Sequence, residues 1–184
     1  SRRQPGLGSH PTGQPQEEVA GLVSAAAGVP RIGDPAPAFE LPNQYGETVR
    51  SGDLAGAPAV LVFYPFAFSR VCLGELDELA ALQPQFRTAG ARLLAVSCDP
   101  KYSLRAWAAE QGWDFDLLSD FWPHGAAARS YGVFQEDRGM AARASFIIGV
   151  DNTVKEILRS DLDMPRSPGD YVRALADLSS VERS

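Results

Sequence analysis

Five apolar residues follow one another from Ala59 to Phe63, and a second largely apolar run, Arg92 to Ser97, comes later. Short unbroken runs of this kind read as strands covered on both faces. Between them Leu76, Leu79, Leu82 and Phe86 recur at intervals of three, three and four, the stripe of one amphipathic helix. Pro84 interrupts the stripe. Its ring would meet the carbonyl of Ala80, so the helix is predicted to kink or end there. Strand, helix and strand in this order make a right-handed parallel βαβ unit.

The flanks extend the pattern. Pro30, Pro35 and Pro37 make an extended lead-in. Phe39 and Leu41 alternate with Glu40 and predict a short strand, and "NQYGETV" turns back into Thr48-Val49 as a hairpin. "DPKYSLRAWAAEQG" predicts a helix with Ser103 as N-cap and Gly112 just past its end. Leu117-Leu118 reads as a short strand, and "SDFWPHGAAARSYG" as a helix with Pro123 in its first turn. Ser145 to Val150 and Val154 to Leu158 flank "DNT", a hairpin with Asn152 in the left-handed region. Ser167 to Leu178 predicts a closing helix. The sum is an α/β chain: a central mixed β-sheet flanked by helices, the thioredoxin-like arrangement. It is expected over residues 31–179, after a disordered N-terminal extension (residues 1–30) and before a short tail (180–184).

Composition narrows the field. The 184 residues are 45% apolar, enough for a core without staples. With a net charge of −6 and no basic run, nucleic acid is not an expected partner. No apolar stretch approaches the ~18 residues that span a bilayer. Val19 to Val29 is mildly apolar, but Glu17 and Glu18 stand where a secretory leader carries positive charge. There is no Gly-rich nucleotide loop and no zinc spacing, so neither cofactor nor metal is expected. His124 reads as helix-terminus packing. Trp107, Trp113 and Trp122 read mostly as core and subunit interface. Two cysteines make no disulfide framework and fit reduced thiols in the cytoplasm.

One of those cysteines carries the candidate chemistry. Cys72 falls in the first turn of the predicted helix, where unpaired N–H groups and the positive dipole end stabilise a thiolate. A thiol of pKa ~8.5 is about 3% ionised at pH 7 and one of pKa ~6 about 90%. That thirtyfold gain, about 2 kcal/mol, is modest. A nucleophile therefore also needs donors beside it. Ser69 offers one by spacing, and an arginine from elsewhere would be better. A buried structural cysteine is the alternative at this point.

Pro65, Ser69 and Cys72 match the pattern Pro-x-x-x-[Thr/Ser]-x-x-Cys, preceded by "VLVFYPFAF" and followed by Glu75. This resembles the active-site signature of the peroxiredoxins. "DPAPAFEL", "LLAVSCD" and "RASFII" are similar to further family segments. "LLSDFWPHGAAARSYGVF" resembles the one-cysteine alkyl hydroperoxide reductase E type of actinobacteria. The resemblance runs from about Ile32 to Leu178. It implies a thiol-dependent peroxidase acting on hydrogen peroxide and organic hydroperoxides, with peroxynitrite a further substrate. Cys72 would be the peroxidatic nucleophile and pass through a sulfenic acid. Ser69 would hydrogen-bond the thiolate and the peroxide. Arg143 would hold the thiolate and the charge developing as O–O breaks. Pro65 would shield Cys72 from water, and the Cys72 N–H would polarise the peroxide. Glu75 is either a support that orients Arg143 or a first-turn acid favouring the helix dipole. Ser69 stands where the family more often has threonine, and Gly149 where it often has an acid.

Regeneration is the open half. Asp77 occupies the helix position that some members give to a resolving cysteine, and no cysteine follows Cys98. Cys98, at the same sheet edge as Cys72, is read as structural, with a resolving role the disfavoured alternative. No resolving cysteine is assigned. The resemblance then implies an external thiol, mycothiol with a mycoredoxin-like protein or a thioredoxin-like one, and a homodimer or higher homo-oligomer. Two other functions compete. A thioredoxin-like thiol–disulfide oxidoreductase needs Cys-x-x-Cys, where this chain has Cys72-Leu73-Gly74-Glu75. A thiol-based redox sensor would use the same Cys72 slowly.

Overall fold

The computed structural model describes residues 28–181. The expectations for residues 1–27 and for the last three residues lie outside the described residues. A five-stranded sheet organises the chain in the order β5-β4-β3-β8-β9. Strands β3 (Ala59–Phe63), β4 (Arg92–Ser97) and β5 (Asp116–Ser119) run parallel. Strands β8 (Ala144–Ile148) and β9 (Val154–Arg159) are antiparallel to their neighbours. β1 (Glu40–Pro42) and β2 (Thr48–Arg50) form a separate hairpin, as do β6 (Phe134–Gln135) and β7 (Met140–Ala141). This is the thioredoxin-like fold with a mixed sheet.

Every residue of β3 is buried because both faces of the sheet are covered. On one face Val60, Val62 and Ala95 pack against α1 (Arg70–Ala81), α2 (Gln83–Thr88), α3 (Lys101–Gln111) and α5 (Pro168–Val181). On the other, Leu61, Phe63, Leu94 and Phe146 meet the β1–β2 hairpin and α4 (Ala126–Ser130). A buried Leu, Val or Phe contributes about 1.5–3 kcal/mol, so alternation along each strand decides which helix covers which face. Among the described residues no helix is long and apolar enough to cross a membrane.

The structure differs from the sequence reading at helix ends. The Leu76 to Phe86 stripe is cut into α1 and α2 at Leu82, with Pro84 in the first turn of α2, where its missing N–H has no intrahelical role. Ser103 is not a cap: α3 begins at Lys101 behind Pro100, and no side chain caps it. Gly112 does end α3, in the left-handed region at φ 71°. Pro123 lies outside α4, whose N-cap is Gly125 at φ 72°. A Cβ at Gly125 would lie 2.3 Å from the Phe134 ring, so only glycine fits. Asp120 performs the capping at a distance, accepting from Ala127 N and Ala128 N at 3.0 and 2.9 Å. Trp107 and Trp113 are core, but Trp122 is 81% exposed. Asn152 turns the last hairpin at φ 58°.

Strand direction places the functional edge. Parallel β3, β4 and β5 all release their loops at one edge, so the segments after Phe63, Ser97 and Ser119 meet there. Antiparallel β8 begins where β3 ends, with Phe63 opposite Ala144, and Ala144 in turn faces Arg159 at the end of β9. Residue 143 and the loop after residue 159 are thereby delivered to the start of α1.

Candidate active site

Cys72 is the third residue of α1 and is 0% exposed. Ser69 is the N-cap of that helix, its Oγ accepting from Cys72 N at 3.3 Å. Phe68, just before it, sits at φ 65°, an uncommon conformation for a side-chain-bearing residue. The Cys72 N–H is engaged by the Ser69 hydroxyl oxygen. A hydroxyl that accepts one N–H still has its own proton to donate.

Arg143 arrives from the start of β8 and uses three nitrogens on three partners. Nη2 donates to Cys72 Sγ at 3.2 Å, Nη1 to Glu75 Oε2 at 2.8 Å, and Nε to the Leu162 carbonyl at 2.7 Å. Glu75 lies one turn after Cys72 on the same helix face and is buried. Its other oxygen accepts from Arg166 Nε. Of the two readings of Glu75, the geometry has it gripping Arg143 rather than lying exposed in the first turn.

Arg166 was not singled out from sequence. It lies in the irregular segment between β9 and α5, where nothing in the local pattern marks an arginine as buried. Yet it is nearly fully enclosed, and its Nη1 donates to the Phe63 carbonyl at 2.8 Å and to Ser145 Oγ at 3.0 Å. The weak sequence signal is its place just before the closing helix, at the end of a polar loop. Two guanidiniums and one carboxylate leave a single positive charge in a buried cluster. The charge count thus leaves room for one anion beside Arg143, whose Nη2 reaches the sulfur.

Pro65, Ser69, Met140, Arg138, Arg143 and Leu162 line a cleft of about 690 Å³ over this cluster. Cys72 is fully buried and does not line the cleft, but its hydrogen-bond partners Ser69 and Arg143 do. Pro65, Ser69, Cys72, Glu75 and Arg143 are therefore brought together, from positions as far apart as β3 and β8.

Cys98 is not part of this group. Along β4, Leu93 and Ala95 belong to the face that holds Cys72, whereas Leu94 and Val96 belong to the opposite face. Cys98 continues the second parity, and its electrostatic neighbours are Asp120, Asp99, Ala141 and Arg129. Burial, then the Asp120 and Asp99 carboxylates, push its thiol up to about 12. Both cysteines are free. The two share a sheet edge, as read from sequence, but lie on opposite faces. His124 bridges two carbonyls, Nε2 to Gly139 at 2.8 Å and Nδ1 to Phe121 at 3.2 Å, and sits away from the cluster.

A thioredoxin-like sheet carrying a lone buried cysteine at a helix start, held by arginine, defines a thiol-based redox enzyme of the peroxidase class. Residues 32–157 match the AhpC/TSA family. The chain is 43% identical over 118 residues to alkyl hydroperoxide reductase E of Mycobacterium tuberculosis, covering 64% of this chain and 77% of that protein. It is 33% identical over 156 residues to a putative peroxiredoxin in the rubredoxin operon of Clostridium pasteurianum, covering 78% and 86%. Among solved structures, Enterococcus faecalis AhpC aligns at a TM-score of 0.77 and 28% identity, covering 84% of this chain and 95% of that one. The chain belongs to the AhpC/TSA family and is a peroxiredoxin, a thiol-dependent peroxidase.

Proposed function

We propose that Cys72 is the peroxidatic nucleophile of a one-cysteine peroxidase that reduces hydrogen peroxide and organic hydroperoxides. The observation that carries this is the 3.2 Å contact from Arg143 Nη2 to Cys72 Sγ in a cluster short of one negative charge. The thiolate attacks one peroxide oxygen, the O–O bond breaks, and the alkoxide or hydroxide leaves with a proton as alcohol or water. Sulfur loses two electrons and becomes a sulfenic acid; the peroxide gains them. Arg143 follows the charge from sulfur to leaving oxygen, and its fixed fork lets it do so without releasing Glu75. Ser69 donates its hydroxyl proton to the peroxide while its oxygen stays on Cys72 N. Pro65 walls the cleft and limits water.

The sulfenic acid is then reduced from outside. One thiol condenses with it to a mixed disulfide and water, and a second thiol releases Cys72. Mycothiol with a mycoredoxin-like partner fits the subgroup of the most similar curated relatives, and a thioredoxin-like protein is the alternative. The opposite-face position and raised pKa of Cys98 support leaving it out of the cycle. The protein works as a homodimer or higher homo-oligomer in the cytoplasm, where two free thiols persist. A thioredoxin-like disulfide reductase is the weaker reading, because Glu75 holds the place of the second cysteine and is committed to two arginines.

The test is stoichiometric. Reduced protein is expected to consume one peroxide per chain and leave a sulfenate at Cys72 by mass. Cys72→Ser that consumes peroxide as fast as the parent sinks the assignment.

A further inference from the structure

Cys72 has no exposed surface, yet the cycle brings two different reactants to its sulfur. A hydroperoxide is small. A reducing thiol is bulkier and must approach the sulfenate sulfur directly, so the segment bearing Pro65 and Ser69 has to give way. What fastens that segment then sets the balance between the two half-reactions.

Among the described residues the backbone from Pro65 to Phe68 makes one hydrogen bond: Ala67 N donates to Asp99 Oδ2 at 2.8 Å. The same oxygen accepts from Ser97 Oγ at 2.7 Å, and the Asp99 carbonyl accepts from Ser119 Oγ at 2.6 Å. Asp99 is thus built into the ends of β4 and β5 and reaches across to the loop after β3. The next residue, Phe68, is held in the left-handed region, with its ring 5.7 Å from that of Trp107. An unfavourable backbone conformation beside a single tether is a closed state that depends on the tether.

We propose that Asp99 is a positioning residue, a latch whose carboxylate holds the 65–69 loop closed over Cys72 for peroxide and whose release admits the reducing thiol. The proposal rests on Cys72 being the peroxidatic residue. A hydrogen bond to a carboxylate shifts such an equilibrium by about ten- to a hundredfold. Asp99→Ala therefore slows one half-reaction and speeds the other, a pattern that general damage to the fold does not give.

The experiment separates the half-reactions in stopped flow for the parent, Asp99→Ala, Asp99→Asn and Ser119→Ala. Reduced protein is mixed with hydrogen peroxide, and separately the preformed sulfenate is mixed with thionitrobenzoate, which forms a mixed disulfide and water. Asp99→Ala is expected to slow the first and speed the second, by factors whose product is about ten- to a hundredfold, the shift of the equilibrium itself. Asp99→Asn keeps an acceptor for Ala67 N and is expected within about threefold of the parent in both. Ser119→Ala loosens the same corner without touching the loop and is expected to change neither. If Asp99→Ala does not fold, Ser97→Ala, which removes the second donor from Oδ2, is expected to show smaller shifts in the same opposed directions. Shifts in parallel, or none, overturn the latch. A parent that leaves peroxide untouched overturns the Cys72 assignment and the latch with it.

Discussion

Glu75→Gln, alone and combined with Cys72→Ser, exposes the electrostatics of the buried cluster. In the parent, Glu75 and Cys72 stand against Arg143 and Arg166, all four nearly without solvent contact, and the proposed thiolate would be the second anion of the cluster. Glutamine removes one anion and turns an amide N–H toward a guanidinium donor. Breaking a buried pair from one side costs about 3–5 kcal/mol. The parent protein recovers part of that cost, because removing Glu75 also removes its repulsion of the thiolate. Two unit charges separated by one guanidinium, roughly 5 Å, interact by about 3 kcal/mol at an effective dielectric near 20. Glu75→Gln should therefore be worse in the Cys72→Ser background by about 1–3 kcal/mol. Urea unfolding of the four proteins under reducing conditions at pH 8 measures this directly. A cycle that closes to within about 0.5 kcal/mol would mean that Cys72 is no charged member of the cluster, and the argument for an anion at the sulfur would fail.

Other consequences are simpler to read. Arg143→Lys keeps the charge but cannot reach Leu162 O, Glu75 and Cys72 together, and is expected to cost about 10²–10³-fold in the single-turnover rate with hydrogen peroxide. A loss under threefold would show that charge alone suffices. Ser69→Ala removes the cap of α1 and should lower stability by about 1 kcal/mol in thermal unfolding and also slow peroxide reduction, whereas Ser69→Thr should restore both. The Cys98 thiol is raised from 9.0 to about 12, so its contribution to stability is complete below about pH 9 and fades as pH climbs toward 12. The stability difference between the parent and Cys98→Ala, from urea unfolding at pH 7 and pH 10.5, should accordingly shrink at the higher pH. A difference that is constant or grows contradicts the assigned cause.

Much of the fold could be read along the chain because its signals are local. The run at Ala59 to Phe63 and the stripe from Leu76 to Phe86 report their own burial, and Asn152 reports its own turn. The differences lie at helix ends and in a loop, and each has its own cause. Ser103 has the right chemistry for a cap, but Pro100 already sets the extended backbone from which α3 begins. Asp120 caps α4 from seven and eight residues upstream, beyond the window in which capping patterns are recognised. Trp122 lies in the loop between β5 and α4 and is exposed in the single chain, outside the core that encloses Trp107 and Trp113.

For the site, the candidate cysteine could be read along the chain: it stands at a strand-to-helix junction, with Pro65 and Ser69 at fixed spacing, inside a run of only a few residues. Helix geometry carries that much, since positions within one turn have defined neighbours. The tertiary structure decided the charge around the sulfur. Arg143 meets Cys72 because antiparallel β8 starts beside the end of β3, and Arg166 joins because the chain after β9 returns to the same edge. It also decided the fate of Cys98, placed on the far face by alternation along β4. Strand order and register are long-range quantities, and no local pattern states them. That is why the candidate nucleophile was visible in twelve residues, and the two arginines and the glutamate around it only in the folded chain.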